Sequence, residues 1–153
     1  MPQINDGPRS PLFTPVPLTG NATIRGLARK GTSDAMRENA RHAPEGACTA
    51  WGVPFDVGHV ILATDKPVAE TWRGFKAPWL VFMHTTDFLP VDRNKDGFVS
   101  PTRGSGRLNE CVADYVFLYA DGTEVIVPIL RRRQIGMLQR VNWGEVCFEC
   151  MGP

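Results

Sequence analysis

The stretch VDRNKDGFVSP (91–101) carries oxygen donors at the spacing of a cation loop. A calcium-binding EF-hand loop supplies side-chain oxygens from its first, third and fifth positions, turns at a glycine in the sixth and uses a backbone carbonyl at the seventh. Asp92, Asn94, Asp96, Gly97 and Phe98 stand in that order. The twelfth position should hold a bidentate carboxylate, but here it is Arg103, which offers no acceptor. Pro101 opposes an outgoing helix, because it lacks the amide donor. The loop is therefore a half-site. Asp92, Asn94 and Asp96 can share a Ca2+ ion with oxygens from elsewhere in the fold, or they act only as turn formers.

Other chemistry-bearing types are scattered. Cys147 and Cys150 have the spacing of a metal or redox pair, yet Cys48 and Cys111 are too far apart to complete a zinc site. Four buried free thiols are the expectation, since an unpaired cysteine packs as a small apolar residue. Glycoside hydrolysis needs two facing carboxylates. Asp56, Asp87, Asp114 and Glu145 lie near strand ends, but no spacing pairs any two of them. The sequence contains no G-x-S-x-G elbow, no H-E-x-x-H and no phosphate-cradling loop, so no catalytic residue is assigned. His84, in VFMHTTDF, closes an apolar run with no second histidine or cysteine at a useful offset. A hydrogen-bonded core histidine and a ligand-contacting one are both open there.

These residues must be positioned by short elements. Thirteen prolines and fifteen glycines interrupt the 153-residue chain too often for long helices. One short helix is expected within TSDAMRENARH (32–42), capped by Thr32 or Ser33 and ended before Pro44. Strands are expected at 48–57, 59–64, 79–86, 114–120, 124–130, 134–138 and 146–151, all rich in β-branched and aromatic residues. Asp121-Gly122 between two apolar runs predicts a tight hairpin, and Pro128 predicts an edge or a bulge in the returning strand. Residues 1–12 are expected to be an extended segment. RRR (131–133) is expected to be an exposed charged sheet edge, with contact to acidic sugars or a neighbouring domain as the alternative.

Three stretches in order, WGVPFDV (51–57), PWLVFMHTTDF (78–88) and VADYVFLYADGTEVIVPI (112–129), resemble the galactose-binding-like β-sandwich modules appended to bacterial glycoside hydrolases. FTPVPLTGNA (13–22) is placed like their opening segment, so the resemblance runs from about residue 13 to 150. It implies an all-β fold: an antiparallel two-sheet sandwich or jelly roll over residues 13–153, with at most one short helix. It also implies a non-catalytic role beside a catalytic domain of a longer chain, either carbohydrate-binding or that of a structural spacer. The long polar segment 92–107 departs from an ordinary hairpin connection. The ending CMGP, directly after an apparent strand, suggests a piece of a longer polypeptide.

Sugar recognition in water needs a flat apolar face and planar polar groups for the hydroxyls. Trp51, Trp79 and Trp143 adjoin apolar strands and are expected to pack. Trp72, in a charged loop, is the candidate exposed platform, with Arg73, His84, Asp87 and Arg103 as polar partners in glycan binding. A small polysaccharide-active hydrolase or lyase using His84 and the 92–107 loop is the alternative, as is an interaction domain docking on the rest of a larger protein. Seventeen basic against sixteen acidic residues set up no field that would attract nucleic acid or an anionic membrane. The N-terminus has no apolar export core, so an extracellular or periplasmic location requires a leader already removed.

Overall fold

The computed structural model describes residues 6–28, 31–87, 93–98 and 107–136. The chain divides into two compact units, Met1–Ala77 and Pro78–Pro153. Among the described residues strands outnumber the one short α-helix, and every ladder between strands is antiparallel. Each sheet among the described residues has two strands.

In the first unit, β1 (Ala22–Thr23) leads into a 3-10 turn at Arg25–Leu27 and then α1 (Asp34–Ala40). Ser33 supplies the helix cap: its hydroxyl accepts from the Met36 amide at 3.0 Å, satisfying one of the amides that a helix start leaves open. Met36 and Ala40, one turn apart, form the buried face with Leu27 and Ala43.

β2 (Gly46–Ala50) and β3 (Val53–Val57) form a hairpin in which Ala50 faces Val53. This corrects the expectation of a single strand at 48–57. Trp51 and Gly52 are the two loop residues, with φ of 49° and 76°. Positive φ at both central positions is the type I′ turn, whose twist matches that of paired strands. Residues 6–10 flank this turn. The Asp6 amide donates to the Thr49 carbonyl and the Gly52 amide to that of Asp6, both at 2.9 Å, while the Ser10 amide donates to Gly52 at 2.8 Å.

β4 (His59–Val60) pairs with β1 and is shorter than the expected 59–64 strand. The Asn21 side chain continues the pairing: its amide donates to the Leu62 carbonyl at 3.0 Å and its oxygen accepts from the Leu62 amide at 2.7 Å. Gly20 is required here. Its φ is 60°, and a Cβ would stand 2.6 Å from the Val60 carbonyl oxygen.

The second unit is organised by β5 (Cys111–Leu118) and β6 (Glu124–Leu130), joined as expected around Asp121-Gly122. The tight two-residue turn gives way to a longer one. The Gly122 amide donates to Tyr119 O at 3.0 Å and the Tyr119 amide to Thr123 O at 2.9 Å, so Ala120 and Asp121 occupy the bend while Gly122 takes φ 87°. The Thr123 amide donates to Asp121 Oδ1 at 2.8 Å and holds that carboxyl below its ordinary range. Pro128 faces Asp114 on a strand paired on one side only among the described residues, where its missing donor is tolerated.

Alternation along the hairpin separates two faces. Tyr115 and Phe117 point to the side of Phe82, whose ring meets Tyr115 edge-on at 5.1 Å. The other face leaves Val116, Leu118 and Ile126 exposed. Of the strand expected at 79–86, residues 79–85 lie outside every sheet and Thr86 makes only a bridge. Phe82 and His84 meet the hairpin through Tyr115 and Phe117, while Leu80, Val81 and Met83 are exposed. Trp79 is 52% exposed, which corrects its expected burial. Ile135 makes an isolated bridge with Arg131, while the rest of 134–138 beyond Gly136, the 146–151 strand and Trp143 lie outside the described residues.

Candidate functional site

The expected platform, Trp72, is only half-exposed. Its ring centroid lies 6.2 Å from that of Phe75, tilted at 52°, and its indole Nε1 is buried without an acceptor among the described residues. Arg73 beside it is exposed. Both belong to the first unit, whereas His84 and Asp87 belong to the second. Arg103 and Asp92 lie outside the described residues.

Both ring nitrogens of His84 are engaged. Nε2 is 2.7 Å from the Gln134 carbonyl, which can only accept, so Nε2 carries the proton. Nδ1, 2.8 Å from the Tyr115 hydroxyl, is then the acceptor. The ring thus ties residue 84 to β5 and to the turn after β6, and leaves no nitrogen for a ligand. Burial pushes the His84 pKa down, only partly opposed by the Gln134 carbonyl, and burial also pushes the Tyr115 phenol up. Unfolded histidine takes up a proton near its ordinary pKa of about 6.5, whereas the folded ring resists it. The His84 contribution to stability is therefore complete above about pH 6.5 and is lost as pH falls through the lower folded value. Urea midpoints should drop between pH 7.5 and 5.5 more in the parent than in His84→Gln; equal drops would exclude this linkage.

The cation half-site closes on itself. Asn94 Oδ1 accepts from the Asp96 and Phe98 amides at 3.0 and 2.8 Å, the Asn94 amide donates to Phe98 O, and Arg93 Nη1 donates to Gly97 O at 3.0 Å. With its side-chain oxygen committed to two amides, Asn94 acts as a turn former. No group of three or more His, Cys, Asp or Glu side chains suited to a metal converges among the described residues. The melting temperature is expected to be the same in millimolar Ca2+ and in EDTA; a rise in Ca2+ that EDTA reverses would establish ligation.

Sequence reasoning missed the most heavily bonded charged cluster. Arg131, expected at an exposed edge, is 3% exposed. Its Nε donates to Glu110 Oε2 at 2.9 Å and its Nη1 to the Asp87 carbonyl at 3.1 Å. Arg107 Nη1 donates to the other Glu110 oxygen at 2.9 Å. Burial opposes ionisation of Glu110, but the hydrogen bonds and charges of Arg107 and Arg131 outweigh it and hold the carboxyl below its usual range. The signal available in the sequence was the excess of arginine at both ends of the hairpin, at 107 and 131–133.

Of the expected glycan-contacting residues, His84 and Asp87 meet this cluster. His84 Nε2 and the Thr86 amide, which donates to Gly136 O at 2.9 Å, hold the 130–136 turn, and the Asp87 carbonyl holds Arg131. Among the cysteines, Cys48 is buried and free as expected, and burial, reinforced by the charge of Asp56, pushes its thiol pKa up. Cys111 is free but exposed, because it opens an edge of the β5–β6 hairpin beside a bulge at Cys111/Ala113. Cys147 and Cys150 lie outside the described residues. No helix among the described residues is long and apolar enough to cross a membrane.

The clearest aromatic platform is Trp51, expected in the core and found 69% exposed at the tip of the β2–β3 hairpin. No protein-family model, curated protein or solved structure matches the chain.

Proposed function

We propose that the chain is a non-catalytic carbohydrate-binding module built on an antiparallel β-sandwich, an accessory to a catalytic domain of a longer polypeptide. The observation that carries this reading is Trp51. A type I′ turn favours Asn, Asp or Gly in its first position, because a side chain at positive φ crowds the following carbonyl. Tryptophan there, at φ 49° and 69% exposed, costs stability twice, in backbone strain and in apolar surface left in water. A flat, exposed ring on a rigid hairpin is what the C–H face of a pyranose requires.

An enzymatic reading built on His84 would need a ring nitrogen available for proton transfer. Both are taken by Tyr115 and Gln134, so binding is the better-supported class. Affinity electrophoresis of the intact chain through gels containing galactan, xylan or mixed-linkage glucan tests it. Retardation in at least one neutral gel is expected; no retardation in any, at high protein concentration, would remove the reading.

A further inference from the structure

The end of the β5–β6 hairpin opposite the Asp121-Gly122 turn carries four arginines, two of which, Arg107 and Arg131, pair with Glu110. Two turns meet there: the Asn109 amide donates to Arg131 O at 3.1 Å and the Arg131 amide to Glu110 O at 2.8 Å. Arg133 Nε donates to Asn109 Oδ1. Arg132 is exposed and makes no side-chain hydrogen bond or ion pair among the described residues.

Neither the backbone nor the charge arrangement there is explained by stability. Four non-glycine residues among those described have positive φ, and three of them are here: Arg107 at 47°, Asn109 at 63° and Arg132 at 61°. Asparagine accepts left-handed backbone, but Arg107 and Arg132 are strained there, and such strain concentrates at binding sites. A buried arginine is also expensive to desolvate, even when paired. What the arrangement does provide is orientation. Glu110 and the Asp87 carbonyl fix Arg131, the His84 ring fixes the turn that carries it, and Arg132 and Arg133 are left facing solvent.

We propose that this arginine-bearing end binds the carboxylates of an acidic polysaccharide, a polymer containing uronate sugars. The inference rests on the carbohydrate-binding reading and names its substrate class. Planar guanidinium forks match carboxylates in pairs, which a lysine cannot do. Four of the seventeen basic residues gather at this end of the hairpin, in a chain whose net charge is +1, a short cluster unlike the continuous basic stripe that tracks a nucleic-acid backbone. Arg132 and Arg133 are the contacting groups, while Glu110, Arg131 and His84 are positioning residues.

The test runs the intact chain through gels containing polygalacturonate or neutral galactan at equal concentration. Polygalacturonate is expected to retard the parent more strongly, and less as salt rises. Losing one charge-assisted contact in Arg132→Gly or Arg133→Ala should weaken that retardation about tenfold each, with galactan behaviour unchanged. Arg132→Gly should at the same time raise the melting temperature, since glycine accepts positive φ without strain; a binding loss accompanied by higher stability cannot be a folding defect. Retardation by polygalacturonate that ignores both substitutions, or is no stronger than with galactan, overturns the proposal. So does equal, arginine-dependent retardation by a short DNA duplex, which would mark an unspecific polyanion patch. Retardation by galactan alone leaves the binding-module reading standing and removes this one, whereas arginine-dependent retardation by polygalacturonate alone supports this one and leaves the Trp51 platform to the xylan and mixed-linkage glucan gels. No retardation in either gel overturns this proposal, and failure in the xylan and mixed-linkage glucan gels as well overturns the binding-module reading.

Discussion

Arg131→Ala is expected to lower the stability of the second unit by about 3 kcal/mol, the lower end of the range for breaking a buried ion pair from one side. The reason is what the substitution leaves behind. Glu110 loses its 2.9 Å partner at Oε2, and the Asp87 carbonyl loses its donor. Glu110 keeps Arg107 on Oε1, so the carboxylate is not abandoned altogether. Urea denaturation followed by far-UV circular dichroism gives the value, with Glu110→Gln and the double variant completing a cycle. The two single losses should exceed additivity, because each removes the same contact. A change within about 0.5 kcal/mol, the scatter of ordinary surface substitutions, would mean that Arg131 is not held as described.

Trp51→Asn is expected to move stability and binding in opposite directions. Asparagine accepts the left-handed backbone and removes an exposed ring, so stability should rise by about 1 kcal/mol. If the indole is the sugar platform, its loss should remove about 2 kcal/mol of binding, roughly thirtyfold in affinity for a neutral polysaccharide. Trp51→Phe should keep part of the retardation and regain none of the stability, since its φ preference is the same. Unchanged retardation in Trp51→Asn would move the platform elsewhere; the half-exposed Trp72, with its Nε1 buried, would be the next residue to replace.

Local chemistry was the part of the fold most legible in the sequence. Ser33 could be read as a cap because its partner, the Met36 amide, is three residues away. The Asp121-Gly122 reversal could be read because the turn and the apolar runs are contiguous, although the sequence pattern does not distinguish a two-residue bend from the longer one centred on Ala120-Asp121. The Trp51-Gly52 reversal escaped because a tryptophan at the first position of a type I′ turn contradicts the usual preference, and a run of apolar residues then looks like one strand. That local contradiction is the feature on which the proposed sugar platform rests.

Arg131 escaped for a different reason. Its partner Glu110 is 21 residues away across the hairpin, and nothing in a three-arginine run says which guanidinium turns inward. Register decides it: the pairing of Cys111 with Leu130 puts the next residue on each strand's outer side within reach of the other. His84 was recognised as a residue of interest, but the choice between ligand and staple depends on Tyr115 and Gln134, which lie 31 and 50 residues further on. Trp72 and Arg73 on one side and His84 and Asp87 on the other belong to different units, a division that strand-by-strand reading does not reveal.

The left-handed residues at 51 and 132 have an evolutionary corollary. A laboratory selection for heat resistance, blind to ligand, should be drawn to these two sites early, since relief is available there from single codon changes without repacking anything. Survivors would be sturdier and mute. Natural lineages that retain an aromatic at the first site and a guanidinium at the second would be doing so against that pull, so a drift toward asparagine or glycine at either position would mark descendants in which the recognition task has lapsed.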